Sequence, residues 1–136
     1  FKKITMSKKL DKILAEISAG ELIDKITILE IKKTKITDIY KLKDIEKELS
    51  SLNMTFREFI TEPSKIQSLI SDLKSINLKL WDIENGKRLA EKNNNFGKDF
   101  IELARNVYKE NDERAKIKSE INKILESNIK EVKSHF

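Results

Sequence analysis

The chain has 136 residues, 38% apolar and 38% charged, with 28 basic and 23 acidic side chains and a net charge of +5. That length suits one domain with a real core; the absence of cysteine excludes disulfides and thiolate metal sites, and a lone histidine, His135, excludes a histidine-rich zinc site within one chain. No window holds 18 apolar residues, so no membrane span is expected, and basic and acidic residues are interleaved rather than gathered on one face, so a nucleic-acid partner is not expected either.

One proline and three glycines leave little material for turns, and the apolar residues recur at helical spacing. An all-α chain is predicted. Phe1-Lys2-Lys3-Ile4-Thr5 has no apolar stretch behind it and is no secretory signal. Met6 reads as a natural start, with five residues of extension before it, and a cytoplasmic protein is expected. Residues 1–17 form an arm of ambiguous structure: Leu10, Ile13, Leu14 and Ile17 have helical spacing, while Ile13, Ala15 and Ile17 alternate like extended chain.

Ser18-Ala19-Gly20-Glu21 fits a capping box, with Ser18 as N-cap and Glu21 three residues on. It opens a helix predicted to run to about Ile36. Leu22, Ile26, Leu29 and Ile36 make its main face, and Ile28 and Ile31 lie on the other side. A helix apolar on two sides sits centrally in a bundle or touches a second chain, and we expect a homodimer on that ground. Thr37-Asp38 caps a second helix, about 38–60, with Leu42, Ile45, Leu49, Leu52, Phe56 and Phe59 on one stripe. Thr61-Glu62-Pro63 ends it, and Pro63 suits the first turn of a third helix running to Lys92. Asn93-Asn94-Asn95-Phe96-Gly97 is a loop, and a fourth helix follows from Lys98 to about Glu126.

The last two helices, each about 29 residues or roughly 43 Å long, form a long antiparallel hairpin over about 63–126. The architecture expected is an elongated four-helix bundle, one domain over 1–136, with an arm at 1–17, a tail at 127–136 and the first two helices packed across the hairpin.

Polar residues interrupt the apolar stripes of the hairpin. One stripe reads Phe100, Leu103, Ala104, Val107, Asn111, Arg114, Lys118, Asn122, Leu125, and the other Ile66, Leu69, Ile70, Leu73, Asn77, Leu80, Trp81, Glu84, Arg88. Buried amides and charges cost several kcal/mol unless paired. They therefore form a satisfied internal network, line a wet cleft, or mark where helices splay. Folding the hairpin about Asn95 puts Glu84 level with about Asn106, Arg88 with Glu102 and Trp81 with Lys109. Trp81, Glu84 and Arg88 then share a level with Arg105, Tyr108, Asn111 and Asp112, and Arg114 lies one turn beyond. Guanidinium groups beside aromatic faces suit an anionic, nucleotide-like small molecule. On the first helix, Glu21, Asp24 and Glu30 are candidate Mg²⁺ ligands, since carboxylates projecting into a bundle build such sites. Capping, helix-dipole compensation and ion pairing account for the same three residues structurally.

The block Ser18-Ala19-Gly20-Glu21-Leu22-Ile23-Asp24-Lys25-Ile26-Thr27-Ile28-Leu29-Glu30-Ile31-Lys32 resembles the opening signature of a family of short bacterial proteins classed as a domain of unknown function. Leu80-Trp81-Asp82-Ile83-Glu84 with Arg88 resembles its middle motif. Phe100-Ile101-Glu102-Leu103-Ala104-Arg105-Asn106-Val107-Tyr108 and Asn111-Asp112-Glu113-Arg114-Ala115 resemble its last. The resemblance covers roughly residues 16–134 and implies a helical fold and these site positions, but no reaction. A related family shares the Leu-Ile-Asp-Lys block. Both are faintly similar to the all-α nucleotide pyrophosphohydrolases, whose bundle carboxylates hold Mg²⁺. This chain lacks their Glu-x-x-Glu followed by Glu-x-x-Asp.

Three functions are open on the sequence: binding of a phosphorylated or nucleotide-like molecule in a polar interhelical cleft, Mg²⁺-dependent hydrolysis of such a molecule, and a non-catalytic scaffold or oligomerisation role in which the polar cluster sets register.

Overall fold

The computed structural model describes residues 9–133 and His135. The readings placed on Phe1–Thr5 and Met6 lie outside these residues. Among the described residues every regular element is helical, and residues 9–17 and those after Ile124 form no helix. Helix α1 spans Ala19–Lys35, α2 spans Ile39–Phe59, a 3-10 turn spans Pro63–Ile66, α3 spans Gln67–Lys92 and α4 spans Lys98–Ile124. The helix starts follow their caps. The Ser18 hydroxyl accepts from the Glu21 N–H, and the Asp38 carboxylate accepts from Tyr40 and Lys41. Pro63 opens a 3-10 turn before α3, where a missing N–H costs nothing.

Helices α3 and α4 make the antiparallel hairpin. Lys79 Nζ lies 3.9 Å from Glu110 Oε1, and a Cβ on Gly86 would sit 3.3 Å from Leu103. That register is within one residue of the level expected from folding about Asn95. Asn94 turns the chain with a φ of 54°, a left-handed conformation that asparagine tolerates.

The packing order differs from the expected one. Helix α1 packs against α2, α3 and α4 alike, while α2 packs on α1 rather than across the hairpin. So α1 is the central element. One core layer joins α1 to the hairpin through Ile23, Ile66, Leu73, Ile76, Ile117 and Ile121. A second joins α1 to α2 through Leu22, Ile26, Leu29, Ile45 and Leu49. Ile31 is 3% exposed within the single chain and Ile28 is half-buried. The two apolar sides of α1 are thus covered intramolecularly, and they give no reason of their own for a second copy.

No residue from 78 to 116 is buried. The distal half of the hairpin is therefore a two-helix extension beyond the three-way junction, which makes the molecule elongated. The polar interruptions on its two stripes, Glu84 and Arg88 included, are tolerated there because water still reaches them.

Candidate functional site

Where α1 meets the root of the hairpin, the apolar layers give way to a polar cluster built on Asp24. Asp24 shares a buried face of α1 with Gly20, Thr27 and Ile31, and its carboxylate is 1% exposed. Both of its oxygens are engaged. Oδ1 accepts from Asn77 Nδ2 at 2.8 Å and from Arg114 Nε at 3.0 Å, and Oδ2 accepts from a terminal nitrogen of the same guanidinium. This is the two-pronged arrangement that arginine gives a carboxylate. Lys118 Nζ lies 3.7 Å from Oδ2. The Asn77 amide also donates to Thr27 Oγ1 at 2.9 Å, and that hydroxyl donates to the Asp24 carbonyl at 2.8 Å.

The network continues to the start of α1. Lys118 Nζ donates to Glu21 Oε2 at 2.7 Å and lies 3.2 Å from Glu131 Oε1. The capping box is therefore half formed: Ser18 serves the Glu21 N–H, but the Glu21 side chain turns to Lys118. The first-turn N–H groups of α1, which have no helical acceptor, are met by the far end of α4 and the segment just after it. Ala19 donates to Ser127 Oγ at 3.0 Å and Gly20 donates to Asn122 Oδ1 at 2.7 Å. Among the described residues no buried side-chain polar atom lacks a partner.

Burial works to raise the Asp24 pKa, but the hydrogen bonds from Arg114 and Asn77 and the charges of Arg114 and Lys118 outweigh it and hold the carboxyl below its usual range. Arg114 is pushed up, chiefly by its bond to Asp24 against the opposing cost of burial. Burial tends to lower Lys118, yet its bond to Glu21 and the charge of Asp24 raise it. A depressed carboxyl contributes stability above its unfolded pKa of about 3.9 and loses it as pH falls through the lower folded value. The raised Lys118 contributes below about pH 10.4, and that contribution fades as pH climbs through its folded value, while Arg114 stays charged throughout. Stability is thus expected to hold through neutral pH and to fall in acid. Urea midpoints measured from pH 7 to pH 2 should show a shallower acid decline for Asp24→Asn than for the wild type; equal declines would contradict this role for Asp24.

Of the residues singled out from sequence, Asp24, Glu21, Asn111 and Arg114 come together, with Asn111 Oδ1 accepting from Arg114 at 3.3 Å. Asp112 lies on the exposed surface beside Lys133. Glu30 leaves the cluster and pairs with Lys74 at 3.3 Å. Trp81, Glu84, Arg88, Arg105 and Tyr108 belong to the distal hairpin. Trp81 is half-buried, Tyr108 is 57% exposed, and Arg88 lies 3.9 Å from Glu84 with a side chain 78% exposed. Replacing Arg88 by alanine should change stability by no more than about 0.5 kcal/mol, because an exposed ion pair contributes little; chemical denaturation checks it.

Glu21, Asp24 and Glu30 do not converge on one point, and among the described residues no group of three or more His, Asp or Glu side chains is placed to share a metal ion. The acids nearest the junction carry cations of the chain itself.

Asn77, Lys118 and Asn122 complete the network. Their signal was present as polar breaks in the stripes. Thr27 signalled only by its position three residues after Asp24, and Ser127 and Glu131, both in the tail, gave no sign of reaching back to α1.

A model of a family of unknown function, DUF6165, matches residues 13–135. The chain belongs to that family. The DUF6165 match spans all four helices, the arm from Ile13 onward and Glu131, so it includes every residue of the cluster. No curated protein and no solved structure matches the chain. Among the described residues no helix is long and apolar enough to cross a membrane.

Proposed function

We propose that this chain is a non-catalytic helical scaffold, one domain over 1–136, in which a buried charge network locks the central helix to the root of a projecting hairpin. The observation that carries the reading is the saturation of Asp24 by Arg114 and Asn77, with Lys118 alongside. A carboxylate that holds Mg²⁺ or removes a proton must offer a lone pair to something outside the protein. Here both oxygens of Asp24 already accept from Arg114 and Asn77, and a lysine stands 3.7 Å from Oδ2. An anion seeking Arg114 or Lys118 would have to displace carboxylates already in contact with them.

A second reading keeps the anionic small molecule but moves it to the distal hairpin. Arg88 and Tyr108 are open to solvent there, and Trp81 is half-buried nearby in the register. Thermal-shift measurements with nucleotides and nucleotide sugars, with and without Mg²⁺, separate the readings. A scaffold gives no shift under any condition. Stabilisation without metal, abolished by Arg88→Ala, would favour the anion site, and metal-dependent turnover would favour the hydrolase.

A further inference from the structure

At the end of the bundle opposite the hairpin tip, a groove of about 810 Å³ opens between the arm and the ends of α2 and α4. Leu14, Ile17, Phe59 and Ile124 line it, and all four are exposed, Leu14 at 86% and Phe59 at 68%. Large apolar side chains that share one concavity and stay uncovered mark an interaction site, and the volume falls in the range of about 300–1,000 Å³ that small molecules fill. The charged side chains of the lining are Glu16, Glu62, Glu126 and Lys65. Lys65 stands 3.1 Å from Glu62. Glu16 accepts from Asn128, a neutral amide, and Glu126 makes no ion pair with a described residue. Two carboxylates thus stand at an apolar groove without a cation of the chain to balance them.

We propose that this groove binds a small amphiphile of the alkylammonium class, an apolar chain with a cationic head. The chain covers Leu14, Ile17, Phe59 and Ile124, and the head meets Glu16 and Glu126. Apolar burial supplies most of the affinity. The carboxylates select the head, because they attract an ammonium and repel a second carboxylate. The wall that holds Leu14 is not helical and makes no backbone-to-backbone hydrogen bond to another described residue, so it can close on the chain without breaking a ladder. The site takes no group from Asp24 or Arg114, and its failure would leave the scaffold reading standing.

Calorimetric titration of the full chain with decyltrimethylammonium, 1-decanol and decanoate, each below its micelle concentration, tests the proposal. One decyltrimethylammonium should bind per chain, with decanol weaker by about 5-fold and decanoate by at least ~10-fold. Phe59→Ser should weaken the ammonium complex at least ~10-fold. Phe59 is exposed at the end of α2, so the variant should keep the helical circular dichroism of the wild type. Glu126→Gln should narrow the gap between the ammonium and decanol. No binding up to about 1 mM overturns the proposal. So does a preference for decanoate, or equal affinity for all three heads. Binding that Phe59→Ser leaves unchanged puts the amphiphile elsewhere and overturns it too. A ligand-free dimer in sedimentation velocity that Phe59→Ser dissociates would overturn it in favour of a second copy of the chain.

Discussion

Arg114→Ala is expected to destabilise the fold by about 3–5 kcal/mol, toward the lower end, in urea or guanidinium denaturation. The substitution removes both nitrogens that hold the Asp24 carboxylate, which is 1% exposed, and leaves that charge with Asn77 and a lysine 3.7 Å away. A buried carboxylate so stranded either stays ionised at a cost or takes up a proton. Without the guanidinium the folded-state carboxyl of Asp24 moves up, so the variant's stability should fall less steeply from pH 7 into acid than the wild type's. A loss below about 1 kcal/mol, the range of an exposed pair, would mean that the site is wet and that Asp24 has other recourse.

Gly20→Ala should cost about 2–4 kcal/mol, through a clash and a weakened hydrogen bond together. A Cβ at this position would lie 2.6 Å from the Lys118 carbonyl oxygen and 3.0 Å from Asn122 Oδ1. The first neighbour is backbone and cannot swing aside. Relief requires α1 to back away from α4, which stretches the Gly20 N–H bond to Asn122 and the Lys118 contacts with Glu21 and Asp24. Helix propensity alone favours alanine over glycine by about 1 kcal/mol, so a destabilised variant would isolate the packing effect. Thermal and denaturant unfolding of the single variant measure it, and a stabilised Gly20→Ala would contradict the close approach of the two helices.

The helices were legible because their signals are local. Ser18, Asp38 and Pro63 are start signals that act within a turn, and the asparagine loop before Gly97 has no competing periodicity. The hairpin register followed from the loop centre at Asn95 to within one residue. The order of packing was not legible: both apolar sides of α1 fit a central position or a dimer, and only three-dimensional contact chooses. The site was legible in part for the same reason. Polar breaks at Asn77, Arg114, Lys118 and Asn122 marked where the hairpin must be satisfied, but not that α1 meets its root and leaves its far half in water. Glu84 and Arg88 carry the same kind of break, yet they lie past the end of the junction, where exposure removes the need for partners. Glu131 reaches Lys118 from a segment without periodicity, which no spacing rule could place.

The central claim is that Asp24 and Arg114 act as one structural unit. A double-mutant cycle on Asp24→Ala and Arg114→Ala, followed by urea denaturation at pH 7, tests it most directly. The account predicts a coupling of about 2–3 kcal/mol, with the double variant little worse than either single one. A coupling below about 0.5 kcal/mol, with the two losses simply adding, would contradict it.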